Sequence, residues 1–237
     1  MNGKSMHWVN RVAALGLAVA LTALLAGAGV AQTVGGQAYS SYVNTALGSS
    51  GYSPLAVLPP VSGTDGAEAD ATGSAVSVVG ALSSDFLNSI TSGQIGTSEA
   101  GSQSTASAAS VNILNGLITA DEVVANVMSS VGQNGAFSNA DGSTLTNLVV
   151  AGVPVTSGDG PVAPNTNISL PGVGYVVLNE QIPSGDGVTS SGLTVNMIHV
   201  FLQSLTGGTC ELGVCTPGTL TNTGEIIVGS ATSSVGP

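Results

Sequence analysis

The sequence has almost no positive charge. Among 237 residues, two are Lys or Arg and 13 are Asp or Glu, so the formal net charge is −11. The two basic residues are Lys4 and Arg11, and no Lys or Arg follows. Nucleic-acid binding, attachment to anionic lipid through basic patches, and phosphate sites of the P-loop or kinase type all depend on Lys or Arg. The composition therefore excludes these functions from the rest of the chain.

The two basic residues belong to a segment that has the pattern of a secretory signal peptide. Lys4 and Arg11 form a positive start, residues 12–29 are uncharged and mostly apolar, and small residues precede Gln32. We therefore predict cleavage after residue 31 and an extracellular or cell-surface location; an uncleaved membrane anchor is the alternative. Cleavage removes both positive charges and takes the formal net charge from −11 to −13.

Two cysteines, Cys210 and Cys215, remain after the leader. In an exported chain they are expected to form a local disulfide. A metal or redox pair is the alternative. A zinc site needs about four ligands, and besides these cysteines residues 32–237 offer one histidine. A thioredoxin-type motif has two intervening residues, not the four found here.

Short apolar runs separated by Gly, Ser, Thr and Asn predict β-structure with many turns. The strongest strand patterns are at residues 172–180, 192–202 and 224–230, with further candidates at 75–82 and 143–155. Residues 117–128 match a helix capping box but resemble two other predicted strands, so a strand is favoured. In 192–202, simple alternation places Leu193, Val195, Met197, His199 and Phe201 on one face.

The predicted fold is all-β, a sandwich-like single domain. A β-roll or an irregular β-solenoid is the alternative, but uneven spacing between the related segments does not fit a regular solenoid. Residues 32–73 are rich in Gly, Ser, Ala and Pro, and are expected to be an irregular arm or wrapping segment with a strand at 37–47. Residues 74–237 are expected to form the β-rich domain.

Several short motifs, in order, carry a family resemblance: residues 116–121, 164–166, 170–174, 177–181, 192–200 and 224–231. Together they resemble the choice-of-anchor P family of exported bacterial proteins. The resemblance spans roughly residues 75–231 and implies a secreted or surface-displayed β-rich domain. It implies no catalytic residues. After Ile227 there is neither a hydrophobic tail with a basic stop nor a sortase motif, so we expect release or non-covalent assembly.

Few side chains offer catalytic chemistry. His199 is the histidine that a Ser-His-Asp triad would use, but it lies in an apolar run and is expected to be a packed or hydrogen-bonded strand residue. Asp121, Glu122 and Glu180 are the carboxylates nearest the strong strand patterns, and are expected at solvated strand ends or loops. We therefore expect no catalytic residues.

One acidic segment is a candidate metal site. Asp65, Glu68 and Asp70 could supply carboxylate ligands to Ca²⁺, although the spacing is not that of an EF-hand. An acidic solubilising loop is the favoured interpretation, and a weak Ca²⁺ site is the alternative. No other cofactor is expected.

The function expected from these patterns is that of a non-enzymatic structural or adhesive domain, with self-assembly or cell-surface and matrix partners. Strand edges without Lys favour self-assembly. One alternative is a carbohydrate- or Ca²⁺-dependent binding module, for which Tyr175 is a candidate platform. The other is a secreted hydrolase with a carboxylate pair.

Overall fold

The computed structural model describes residues 32–62, 64–211, 214–216 and 218–237, so the signal peptide predicted at 1–31 lies outside the described residues. The structure is all-β, with 71 % strand and no helix in the described part. Accordingly, that part contains no helix of the length and apolarity needed to cross a membrane.

Eighteen strands follow one another along the described residues: β1 (Thr33–Thr45), β2 (Gly48–Ser49), β3 (Ser53–Val57), β4 (Ala67–Val78), β5 (Leu82–Ile95), β6 (Ala100–Ile113), β7 (Ile118–Gly132), β8 (Gly135–Asn139), β9 (Thr144–Thr146), β10 (Val149–Val150), β11 (Val153–Pro154), β12 (Asp159–Gly160), β13 (Thr166–Leu170), β14 (Gly174–Gly185), β15 (Ser191–Thr206), β16 (Thr209–Glu211), β17 (Val214–Thr216) and β18 (Thr219–Gly236).

Two antiparallel sheets contain sixteen of these strands. Sheet A has the order β13-β14-β15-β18-β1-β2, with β3 beside β1. Sheet B has the order β11-β10-β7-β6-β5-β4, with β8 and β9 also paired to β7 and β12 paired to β9. The long strands β1, β15 and β18 of sheet A lie against β5, β6 and β7 of sheet B. This confirms the predicted sandwich-like all-β fold.

The predicted strands are mostly confirmed, including the ambiguous segment 117–128, which lies largely within β7. The three strongest patterns correspond to β14, β15 and β18. Residues 143–155 form three short strands rather than one, because the backbone turns at Asn147 and Ala151, which have φ of 50° and 51°. Residues 75–82 are likewise divided by a turn at Gly80, with φ of 76°.

The segment 32–73 differs from the expected irregular arm over much of its length. The strand expected at 37–47 begins earlier, at Thr33, and pairs along its length with β18. β4 crosses the expected boundary at residue 73. Gly36 of β1 also allows close packing of the sheets, because a Cβ there would overlap Thr91 Oγ1 in sheet B.

The space between the sheets is mainly apolar and contains a set of buried hydroxyls. The largest fully buried side chains include Ile113 and Ile118 from sheet B and Ile198 and Ile226 from sheet A.

Elsewhere, buried serines join the sheets. Ser40 Oγ lies 3.1 Å from Ser89 Oγ, and Ser102 Oγ lies 2.6 Å from Ser233 Oγ. These hydroxyls also lie within hydrogen-bond distance of backbone carbonyls, with Ser40 Oγ 2.9 Å from the Asn88 oxygen and Ser233 Oγ 2.9 Å from the Ser102 oxygen, so the buried hydroxyls have partners.

Sheet A contains a row in which the inside–outside alternation shifts by one residue. Four neighbouring strands each turn two consecutive residues toward sheet B: Leu178 and Asn179, Met197 and Ile198, Val228 and Gly229, and Ser40 and Ser41. Their register places these pairs side by side across the sheet. Asn179 and Gly229 have φ of 48° and 69°. We call this set of four pairs the phase-shift row.

Candidate functional site

The phase-shift row brings residues three positions apart together on the outer face of sheet A. On β15, Asn196 and His199 both point outward although they are three residues apart, because Met197 and Ile198 between them point inward. The prediction that Met197 and His199 share one face of the strand is therefore wrong, because the alternation of inward and outward side chains shifts after Met197.

Three registered rows of outward side chains cross this face: Tyr175, Phe201, Glu225 and Asn44; then Val177, His199, Ile227 and Tyr42; then Glu180, Asn196, Ser230, Tyr39 and Leu55.

A polar cluster lies at the centre of these rows. Glu180 Oε2 accepts a hydrogen bond from Asn196 Nδ2 at 2.7 Å and lies 2.7 Å from His199 Nδ1. His199 Nε2 lies 3.3 Å from Glu225 Oε2. Ser230 Oγ donates to Asn196 Oδ1 at 2.7 Å. We call these five residues the His199 network.

Both ring nitrogens of His199 face carboxylate oxygens. A neutral imidazole has one donor and one acceptor nitrogen, so only the protonated ring can donate to Glu180 and Glu225 together. No Lys or Arg occurs in residues 32–237, and His199 is the single histidine there. Its imidazolium is therefore the one side-chain cation that this part of the sequence can supply.

Two side chains at this site have shifted pKa values. The hydrogen bond from His199, with that from Asn196, holds the pKa of Glu180 below its ordinary value, although partial burial acts in the opposite direction. Burial raises the pKa of Tyr39, and a hydrogen bond with Ser230 offsets part of that rise. The prediction of a packed, hydrogen-bonded His199 is confirmed, since the residue is 8 % exposed.

Glu180 corrects another expectation. It lies inside β14 with its side chain 18 % exposed, and not at a solvated strand end or loop. A single sequence could not reveal its role, because its partner lies 19 positions away and depends on the strand register. Asp121 and Glu122 are exposed, as expected, although both lie within β7.

Aromatic rings flank the His199 network on both sides. Tyr175 stacks on Phe201 with ring centroids 4.7 Å apart, and Phe201 lies 3.9 Å from the His199 ring. On the other side, Tyr52 packs against Tyr42 at 4.7 Å and Tyr39 at 4.6 Å. The planes of the Tyr175 and Phe201 rings differ by 15°, so the two rings are stacked side by side on neighbouring strands.

The candidate Ca²⁺ ligands lie on and beside the edge strand β4. Asp65 and Glu68 line a groove of about 510 Å³ on sheet B together with Glu99, whereas Asp70 lies outside its lining. All three predicted ligands are exposed. Within the described residues, no three His, Cys, Asp or Glu side chains come close enough together to hold a metal ion.

The two cysteines lie in a separate short hairpin formed by β16 and β17. The backbone register places Cys210 directly opposite Cys215. Opposed residues in an antiparallel pair have Cα atoms about 4.5–5.5 Å apart, within the range that a disulfide spans. The disulfide remains a prediction.

Comparisons of the chain with protein-family models, with curated proteins and with solved structures each found no match. The resemblance to the choice-of-anchor P family therefore stays a prediction from the motifs.

Proposed function

We propose that the chain is an exported, non-enzymatic adhesive β-domain that contacts its partner through the outer face of sheet A. The observation that carries this proposal is the unequal distribution of aromatic side chains. Seven Tyr and Phe follow residue 31, and five of them lie on this face: Tyr39, Tyr42, Tyr52, Tyr175 and Phe201.

The outer face of sheet B has a different chemistry. Its central strands present polar groups such as Gln103 and Thr105, which both donate hydrogen bonds to Asn126 Oδ1. On sheet A, Tyr52, Leu55 and Val57 are 51 %, 40 % and 52 % exposed; Leu55 and Val57 share one face of β3, and Leu55 and Tyr52 both lie beside Tyr39. Contiguous exposed apolar side chains on a sheet typically mark an interaction surface.

The charge of the chain favours a basic partner over a second copy. Residues 32–237 contain 13 carboxylates and no Lys or Arg, so two copies repel each other, whereas a surface with Lys or Arg is attracted. Glu180 and Glu225 place two of these carboxylates among the aromatic rings. We therefore propose a protein partner that presents basic and apolar side chains together.

Other features support the non-enzymatic and exported parts of this proposal. Both ring nitrogens of His199 face carboxylates and not a serine or threonine hydroxyl, so the histidine is not placed to activate a nucleophile. The leader-like residues 1–31 and the family resemblance support export.

The test uses immobilised synthetic peptides that alternate Lys with Leu, compared with Glu–Leu and Lys–Ser peptides of equal length. We expect the protein to bind the Lys–Leu peptide most tightly, and Tyr52→Ala to weaken binding about tenfold, equivalent to about 1.4 kcal/mol.

Phe137→Ala is the matched control, because Phe137 is similarly exposed, at 53 %, but lies on sheet B. Equal losses for the two variants, or equal binding of all three peptides, would refute the proposed surface. If the protein dimerises with increasing concentration and Tyr52→Ala abolishes the dimer, the proposed basic partner is wrong and the surface is an interface between two copies of the chain.

A further inference from the structure

A second site lies away from the outer face of sheet A. A cleft of about 890 Å³ opens between β14 of sheet A and the end of β8, with the turn at residues 140–143 and the segment 161–165 as its other walls. The volume lies within the range of small-molecule sites. We propose that this cleft binds neutral saccharides, an inference that goes beyond the proposed function.

The first argument is the chemistry of the lining. Four carboxamides line the cleft: Asn139, Asn165, Asn179 and Gln181. A carboxamide carries two donors and an acceptor with two lone pairs, so it can pair with hydroxyls that both donate and accept. Several carboxamides around one cavity therefore suit a ligand with many hydroxyl groups.

The second argument is that these carboxamides are already held in place. Asn179 Nδ2 donates to the carbonyl of Val162 at 2.7 Å, and Gln181 Nε2 donates to Asn179 Oδ1 at 3.1 Å. Asn165 Oδ1 accepts from the Gln181 backbone N–H at 2.9 Å, and Asn139 Oδ1 accepts from the Asp141 N–H at 3.2 Å.

Each bond uses one end of a side chain. Among the described contacts, the Nδ2 groups of Asn139 and Asn165 and the Oε1 atom of Gln181 remain for a ligand. Groups fixed before binding lose little conformational entropy when the ligand arrives.

The backbone makes the lining rigid as well. Asn165 and Asn179 have φ of 58° and 48°, in the left-handed region that Asn tolerates better than most residues. Pro161, Pro164 and Pro183 also line the cleft, and each fixes its own φ. Asn165 therefore serves two purposes, since it permits the positive φ and leaves its Nδ2 for a ligand, whereas Asn179 holds Gln181 and the Val162 carbonyl in place.

The third argument concerns charge. Asp141 is the one ionisable side chain in the lining, and it is negative. No Lys or Arg exists in residues 32–237 to attract an anion. Uronic acids, sulfated sugars and phosphates would meet uncompensated negative charge, so the cleft discriminates in favour of neutral sugars. The lining contains no aromatic ring, so binding rests on hydrogen bonds and we expect a Kd of about 1 mM.

The experiment uses the purified full chain, isotopically labelled, titrated in NMR with neutral trisaccharides of glucose, xylose and N-acetylglucosamine. A trimer of galacturonic acid is the charged counterpart. We expect at least one neutral trisaccharide to shift the backbone amides of residues 139–143 and 165, and the galacturonate trimer to shift none of them. Co-sedimentation with insoluble polysaccharide then tells whether a polymer or a soluble sugar is preferred.

Ala163→Trp tests the location. Ala163 is an exposed residue of the lining, so a large side chain there fills the cleft without entering the core. We expect it to weaken saccharide binding at least tenfold. Ala46→Trp is the control, because Ala46 is also exposed but lies in the turn between β1 and β2.

Asp141→Asn tests the charge argument. It removes the one negative charge of the lining, and we expect neutral binding to stay within about twofold while the acidic trimer gains affinity. Absence of shifts with every neutral trisaccharide at 20 mM, shifts confined to the outer face of sheet A, or tighter binding of the acidic trimer by the unaltered protein would each overturn the proposal. None of these outcomes bears on the peptide test of sheet A.

Discussion

Replacing Gly229 with alanine tests whether the phase-shift row controls the packing of the two sheets. Gly229 has φ of 69°, and a Cβ at this position would lie 2.7 Å from Val123 Cγ1 in β7. Val123 is fully buried and its branched side chain has little rotamer freedom, so it cannot move aside cheaply. The substitution therefore incurs both a backbone cost and a steric cost.

The backbone cost of a non-glycine residue in the left-handed region is roughly 1–2 kcal/mol. Forcing an extra methyl group into a packed core costs about 1–3 kcal/mol more. We therefore expect Gly229→Ala to lower the free energy of unfolding by about 2–5 kcal/mol, a large part of the roughly 5–15 kcal/mol that a domain has. Thermal unfolding followed by circular dichroism should show a Tm lower by roughly 10 °C.

Gly172→Ala separates the two costs. Gly172 has a similar φ of 77°, but nothing lies within 4 Å of the Cβ that it would gain. This control should lose only the backbone part, about 1–2 kcal/mol. In addition, Val123→Ala should cost less in the Gly229→Ala background than alone, because it removes the obstructing methyl group. Equal destabilisation by the two glycine substitutions, or strictly additive effects with Val123→Ala, would refute the proposed close contact between the sheets.

Two further predictions concern the His199 network and the cysteines. The pKa of Glu180 is lower in the folded protein than its ordinary value of 4.5, so its contribution to stability is present above about pH 4.5 and is lost as the pH falls through the lower folded pKa. Urea denaturation between about pH 3 and pH 6 should show that the free energy of unfolding falls less on acidification for Glu180→Gln than for the unaltered protein. Identical profiles would contradict this reasoning. Mass spectrometry after alkylation without reductant should find no modified thiol at Cys210 or Cys215, and reduction should lower the free energy of unfolding by about 2 kcal/mol; two alkylated cysteines in protein freshly purified under oxidising conditions would exclude the disulfide.

The fold class could be predicted from the sequence because strand patterns and turn residues are local signals. The same reasoning failed at β15, where alternation placed His199 on the same face as Val195. Both faces of this strand are largely apolar or covered, so nothing local marks the shift between Met197 and Ile198. The irregularity is visible in the sequence only as Asn179 and Gly229, two residues that tolerate positive φ but occur in many other contexts.

The candidate sites were less predictable for a related reason. His199 could be recognised as a packed strand residue, but its partners Glu180 and Glu225 come from the two strands on either side of β15. The cleft likewise joins residues near positions 140, 163 and 181, which are adjacent only after the two sheets pack. Predicting the first site requires the strand order, the register and the phase shift, and the second site also requires the relative placement of the sheets.

The phase-shift row also limits the ways in which sheet A can misfold. In an ordinary sheet, a slip of two residues between neighbouring strands keeps every side chain on its proper face, so such errors are penalised weakly. Here a two-residue slip of β18 against β15 would separate Val228 and Gly229 from Met197 and Ile198. In the stretch between the two offset pairs, inward-facing residues of one strand would then lie beside outward-facing residues of the other. The phase-shift row therefore favours one strand register over the registers that are offset by two residues. The many Ser, Ala, Val and Gly residues of these strands would otherwise discriminate poorly between those registers.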